Sequence, residues 1–200
     1  MRFDLLPHPL HPPASIRGVA ARVLGLDAQW LRLRWRVDGA HALVLPATAL
    51  DAARADGLWR ATCFEAFVRP DAQGDASSAY VEFNLSPSGH WNAYDFRAYR
   101  DGMAPRPMAR APESRVRVAA ADDGDDADAA QRDATLIFDA AVPRSALPAL
   151  PCSLGLCAVL EERGGVKSFW ALAHPPQGAP DFHAAACFAA RLEPTPHTPS

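Results

Sequence analysis

The sequence predicts a mostly β protein: a single-domain antiparallel β-sandwich of jelly-roll type. Three observations carry this. Short alternating or apolar segments, about nine to eleven of them, recur along the 200 residues with turn signals between them. No long segment repeats its apolar residues at the helical period, and the helices of about 10–15 residues that a doubly wound α/β fold needs cannot be placed. The chain also carries 19 prolines, and proline removes a backbone donor and breaks helix interiors.

Residues 1–15 are Pro-rich and read as an extended arm. Residues 16–26 are a first strand. Residues 29–37 alternate most clearly, with Trp30, Arg32, Arg34 and Arg36 on one parity and Leu31, Leu33, Trp35 and Val37 on the other. That period of two marks a half-buried strand. Asp38-Gly39 is a turn signal, so residues 41–45 are expected to return as the hairpin partner. Residues 46–56 form a short helix or a loop. Segments 62–69 and 80–85 are two strands joined by a hairpin loop over 70–78, and 86–89 is a turn. Segments 91–99, 115–120, 134–141, 154–162 and 168–172 continue the strand pattern, and 187–192 closes the domain. Residues 121–133, with six Asp and one Arg, read as a solvated loop, and 193–200 as a disordered tail. The domain proper therefore spans 16–192. No repeat at a period of about 20–50 residues is visible.

Composition excludes several function classes. The chain is 49% apolar and 22% charged with a net charge of −3, which gives no basic footprint for nucleic acid. The longest uncharged run, residues 145–160, is interrupted by Pro148, Pro151 and Gly155 and is too short to span a bilayer as a helix. The first residues lack the apolar stretch of a signal peptide, so a cytoplasmic location is expected. Cys63, Cys152, Cys157 and Cys187 are then expected as free thiols, and no CxxC pair suggests zinc.

Residues 58–100 hold the densest set of groups that can do chemistry. If 62–69 and 79–85 pair about a loop centre near Gly74, Glu65 falls opposite Glu82. Like charges there are destabilising unless a cation such as Arg97 or Arg100 intervenes, one carboxyl stays protonated, or ligand hydroxyls bridge them. Equally, the glutamates are out of register or paired with Arg60 or Arg69. Aromatic rings beside carboxylates, Asn and Arg suit a sugar, whose C–H face stacks on rings while its hydroxyls take paired donors and acceptors. The competing reading makes Trp91, Tyr94 and Phe96 core residues.

The strings LWRATCFEAFV and YVEFNLSPSGHWNAYDFRAYR, followed by SFWALAHPP and PDFH, resemble the DOMON-like domains. These are similar in turn to family-9 carbohydrate-binding modules. The resemblance covers residues 58–100, about a fifth of the chain, and a second block at 168–183. It implies a β-sandwich that binds a sugar or, in one branch, haem. The residues that match its pattern are Trp59, Glu65, Tyr80, Glu82, Asn84, Trp91 and Tyr94.

The expected function is that of a non-enzymatic ligand-binding module for a saccharide or a sugar-containing metabolite. Glu65, Glu82, Asn84 and Arg97 would supply hydrogen bonds, and Trp59, Trp91 and Tyr94 stacking or the site wall, with Tyr80 beside them. No cofactor, metal, nucleic acid or membrane partner is expected, and protein partners are not specified. One alternative is a b-type haem domain, for which Met103, Met108, His90, His174 and His183 offer axial ligands without a selecting spacing. Another is a small glycosidase using Glu65 and Glu82 as its carboxyl pair. His174, His183 and Cys187 have no recognised zinc spacing and read as loop-capping groups. The DDGDD run at 122–126 lacks calcium-loop spacing. Ser86 and Ser88 are not in a nucleophile motif, and Cys63 is expected to face the core.

Overall fold

The computed structural model describes residues 1–71, 79–119 and 134–194. The acidic run at 121–133, most of the expected 70–78 hairpin loop and the end of the tail lie outside those residues.

Twelve strands build the described chain. They are β1 (Arg2–Pro7), β2 (Gly18–Leu26), β3 (Trp30–Asp38), β4 (Cys63–Pro70), β5 (Tyr80–Leu85) and β6 (Trp91–Phe96). Then follow β7 (Ala104–Pro105), β8 (Glu113–Ala119), β9 (Thr135–Pro143), β10 (Cys152–Glu162), β11 (Val166–Ala171) and β12 (Ala190–Leu192). All pair antiparallel in one curled sheet of order β7-β6-β5-β4-β10-β11-β1-β2-β3-β9-β8. β12 pairs the first residues of β10, which β11 does not reach. Helical structure among the described residues is confined to short 3-10 turns, and no helix there is long and apolar enough to cross a membrane.

Curling places two leaves face to face. The front leaf runs from β7 to β11 and the back leaf from β1 to β8. β1 joins them: Arg2 to Leu5 pair with β2, and Leu6 and Pro7 pair with β11. The expected N-terminal arm is therefore partly sheet. Two bonding edges, one on each leaf, hold it in place.

Strand parity decides what lies between the leaves. On β3 the odd residues Leu31, Leu33, Trp35 and Val37 point inward and are fully buried. They meet Phe64, Ala66 and Val68 of β4 and Leu136 and Phe138 of β9 in one core. Phe64 stacks on Phe138 across the leaves, with centroids 4.4 Å apart and planes within 14°. The expected 41–45 hairpin strand is absent. β3 is already paired on both sides by β2 and β9, and Leu43 makes only an isolated bridge to Glu162.

The outward face of the front leaf is also covered. Phe67, Tyr80, Tyr94, Phe96, Cys157 and Val159 form a second apolar cluster with Phe182, Cys187 and Phe188 of the segment that returns between β11 and β12. This double burial explains why β4 and β5 read as nearly continuous apolar runs rather than alternating ones.

Candidate functional site

The polar residues of the front leaf lie on that second face. β4 pairs β5 with Glu65 opposite Asn84 and Phe67 opposite Glu82. β5 pairs β6 with Glu82 opposite Tyr94 and Asn84 opposite Asn92. Glu65 and Glu82 are therefore diagonal neighbours rather than directly opposite, a correction of two residues to the expected register. An even shift keeps every side chain on its face, so the two glutamates still share one surface.

They border a cavity of about 320 Å³, a size that suits a small ligand. Trp59, Phe67, Phe96, Phe169 and Phe182 form much of its wall, and Arg100, Met103 and His183 lie at its margin. A wider groove lined by Arg69, Tyr80, Tyr99 and Asp181 adjoins it, sharing Arg100 and His183.

Glu65 is 3% exposed. Its Oε1 is buried with no hydrogen-bond partner among the described residues. Burial, with the neighbouring Glu82 carboxyl adding to it, holds its pKa well above the ordinary carboxylate range. Burial also raises Glu82, to about 7, against the opposing hydrogen bond from Asn84 and the charge of Arg100. Asn84, itself fully buried, donates Nδ2–H to Glu82 Oε1 at 2.6 Å. The other oxygen, Oε2, lies 3.9 Å from His183 Nε2.

His183 ends a short chain of donors. The backbone N–H of Arg100 donates to the Tyr80 hydroxyl at 3.2 Å, and that hydroxyl is 2.7 Å from His183 Nδ1. With Nδ1 accepting the Tyr80 proton, neutral His183 carries its own proton on Nε2, toward Glu82; in the other tautomer Nδ1–H donates to the Tyr80 hydroxyl. Burial and the Arg100 charge lower the His183 pKa to about 4, so the ring is neutral at ordinary pH.

Asp181 secures the cover segment. It accepts from Arg100 Nη2 at 2.8 Å and from the Tyr99 hydroxyl. Cys187 donates Sγ–H to the carbonyls of Ala173 and Asp181 at 3.1 and 3.2 Å, closing the loop on itself. Gly155 of β10 lies beneath, where a Cβ would meet the Cys187 carbonyl oxygen at 3.0 Å.

The expected site residues divide clearly. Trp59, Glu65 and Glu82 border the cavity. Asn84 positions Glu82. Tyr80 stacks on Phe96 at 4.7 Å and holds His183. Tyr94 stands behind Trp59, ring centroids 6.1 Å apart, with its hydroxyl donating to Asp56 at 2.6 Å.

Trp91 and Arg97 do not join them. Trp91 has the opposite strand parity from Tyr94, so it packs in the core between the leaves with the Arg54 guanidinium 4.5 Å from its ring. Arg97 lies just past the end of β6 and pairs with Asp101 at the surface. Arg100 is the cation near the glutamates. Cys63 is fully buried, as expected, on the same strand face as Glu65, with Sγ 3.9 Å from Asn84 Oδ1.

Parity alone would have added Phe67 and Phe96, two residues beyond Glu65 and Tyr94. Asp181 and Phe182 lie in a segment without period, where position carries no facing information. His174 bonds the Leu6 carbonyl at 2.9 Å, and His183 bonds Tyr80. Among the described residues, no group of three His, Cys, Asp or Glu side chains could hold a metal ion.

Comparison of the chain with protein-family models, curated proteins and solved structures finds no match in any of the three.

Proposed function

We propose that this protein is a small-molecule-binding module and that its ligand is a saccharide or sugar-containing metabolite of about monosaccharide size. The observation that carries this is the free Oε1 of Glu65 at the aromatic-walled cavity. A buried oxygen without a donor costs roughly 1–3 kcal/mol. A ligand donor entering the cavity offsets that cost. The rings opposite accept an apolar ring face, and Glu82 beside it takes further hydroxyls. The resemblance of residues 58–100 to DOMON-like domains agrees with the same ligand class.

Titration calorimetry against glucose, galactose, xylose and their disaccharides tests the proposal. Saturable heat at millimolar sugar or below, lost in Glu65→Ala with the fold intact by circular dichroism, is expected. A folded protein giving no heat with any of these sugars or their amino derivatives overturns it. Two control measurements address the other chemistries. Absorption near 400 nm in freshly purified protein would point instead to haem, for which Met103 and His183 lie at the same cavity. Turnover of aryl glycosides, abolished by Glu82→Gln, would make the glutamate pair catalytic.

A further inference from the structure

The cavity sets two buried carboxyl groups side by side, and the cation at its margin is committed elsewhere. Glu65 and Glu82 lie on adjacent strands of one buried face. The cation at the margin, Arg100, is already bonded to Asp181 through Nε at 3.2 Å and Nη2 at 2.8 Å. His183 gives Nδ1 to Tyr80 and has no net charge to offer. Around the glutamates stand Trp59, Phe67 and Phe96, whose ring faces attract cations.

We propose that the ligand of this cavity carries a protonated primary amine, seated between Glu65 and Glu82, with its ring against the aromatic wall. An amino sugar fits this description. The inference rests on the cavity being the ligand site, and it names the ligand's charge. In the empty protein the two carboxyls avoid mutual repulsion by holding protons. An ammonium replaces one of those protons, donates to the free Oε1 of Glu65 and leaves a charge-assisted bond in a low-dielectric site, while the pair keeps the other proton. The released proton passes to the buffer.

The groups that face the pair are Cys63 on β4, Tyr80 on β5, Tyr94 on β6 and Cys157 on β10. From the loops come Arg100, Asp181, His183 and, beside Tyr94, Asp56. Burial raises Cys63, Cys157, Tyr80 and Tyr94 far above neutrality and takes His183 down to about 4. Proton release near neutral pH thus belongs to the glutamates.

The test is calorimetry on the full chain with two pairs of probes, glucosamine against glucose and cyclohexylamine against cyclohexanol, each in two buffers of different ionisation heat. Each amine is expected to bind at least about tenfold tighter than its hydroxyl twin, a ratio worth one pKa unit of interaction. Its apparent enthalpy should vary with the buffer. Glu65→Gln and, as a second variant, Glu82→Gln should shrink the ratio to about twofold or less with the circular dichroism spectrum unchanged. Glucose binding as tightly as glucosamine overturns the amine and leaves the saccharide standing. Cyclohexylamine binding without either sugar supports the amine and removes the saccharide. Binding by none of the four overturns both.

Discussion

Glu65 is the residue whose position stability alone does not explain. Its carboxyl lies among aromatic rings with one oxygen unpaired. Leucine has a similar volume and no polar atom. Glu65→Leu should therefore raise the thermal midpoint, with roughly 1–3 kcal/mol gained from the removed desolvation penalty, and abolish ligand binding. A drop in the midpoint would mean that the carboxyl has a structural partner. Glu82 makes a second prediction, through pH. Its folded pKa of about 7 is above the ordinary carboxyl value, so the fold binds its proton more tightly than the unfolded chain does. Stability from this group is full below the unfolded value and falls as pH rises through 7. His183 acts oppositely, since lowering to about 4 makes stability rise with pH, but that gain is complete by about pH 6.5. The Glu82 loss runs from about pH 4.5 to 7 and the His183 gain from about pH 4 to 6.5, so the two oppose each other and urea midpoints should change little across that range. Glu82→Gln should leave the His183 gain unopposed, so that midpoints rise between about pH 4 and 6.5.

The elements around the site divide the labour between a rigid floor and a tethered cover. β4, β5 and β6 fix the glutamates by ladder bonds on both sides of β5. The cover is tied through Asp181 to Arg100 and Tyr99, and through Cys187 to its own backbone. Asp181→Ala should loosen it and free Arg100 to turn toward the glutamates. The expected outcome is ligand affinity lowered by about tenfold, and faster amide exchange in residues 181–188. Gly155→Ala presses on the same cover from below, since its Cβ meets a carbonyl at 3.0 Å. It should cost about 1–3 kcal/mol of stability.

The floor could be read from the chain because a strand announces its faces. Pairing 62–69 with 79–85 puts Glu65 and Glu82 on one surface even with the register off by two. The same rule, applied to Trp91 and Tyr94, separates them. Three residues apart, they cannot share a strand face. The cover could not be read, because Asp181 and His183 take their places from hydrogen bonds to residues about eighty or more positions away.

At the scale of the whole molecule, the front leaf serves two apolar clusters, one on each face, and only one of them borders the cavity. The inter-leaf core is centred on Trp35, Phe64 and Phe138. The curl that creates it depends on β1, which exchanges one leaf for the other within six residues. Stability and binding should therefore be separable by face. Phe138 lies on β9 of the back leaf, stacked on Phe64 and remote in the sheet order from the glutamates. Phe138→Ala removes a fully buried ring and should cost about 3–5 kcal/mol. Because β1 and the shared core join the leaves, the loss should appear as one earlier transition, with tryptophan fluorescence and far-ultraviolet circular dichroism still coinciding. Below that transition, ligand affinity should stay within about twofold of the parent protein, since Phe138 belongs to the inter-leaf core and the cavity wall to the opposite face of the front leaf. If Phe138→Ala weakens binding as much as Asp181→Ala, the two faces of the front leaf are coupled, and the site depends on the sandwich core as well as on its own floor and cover.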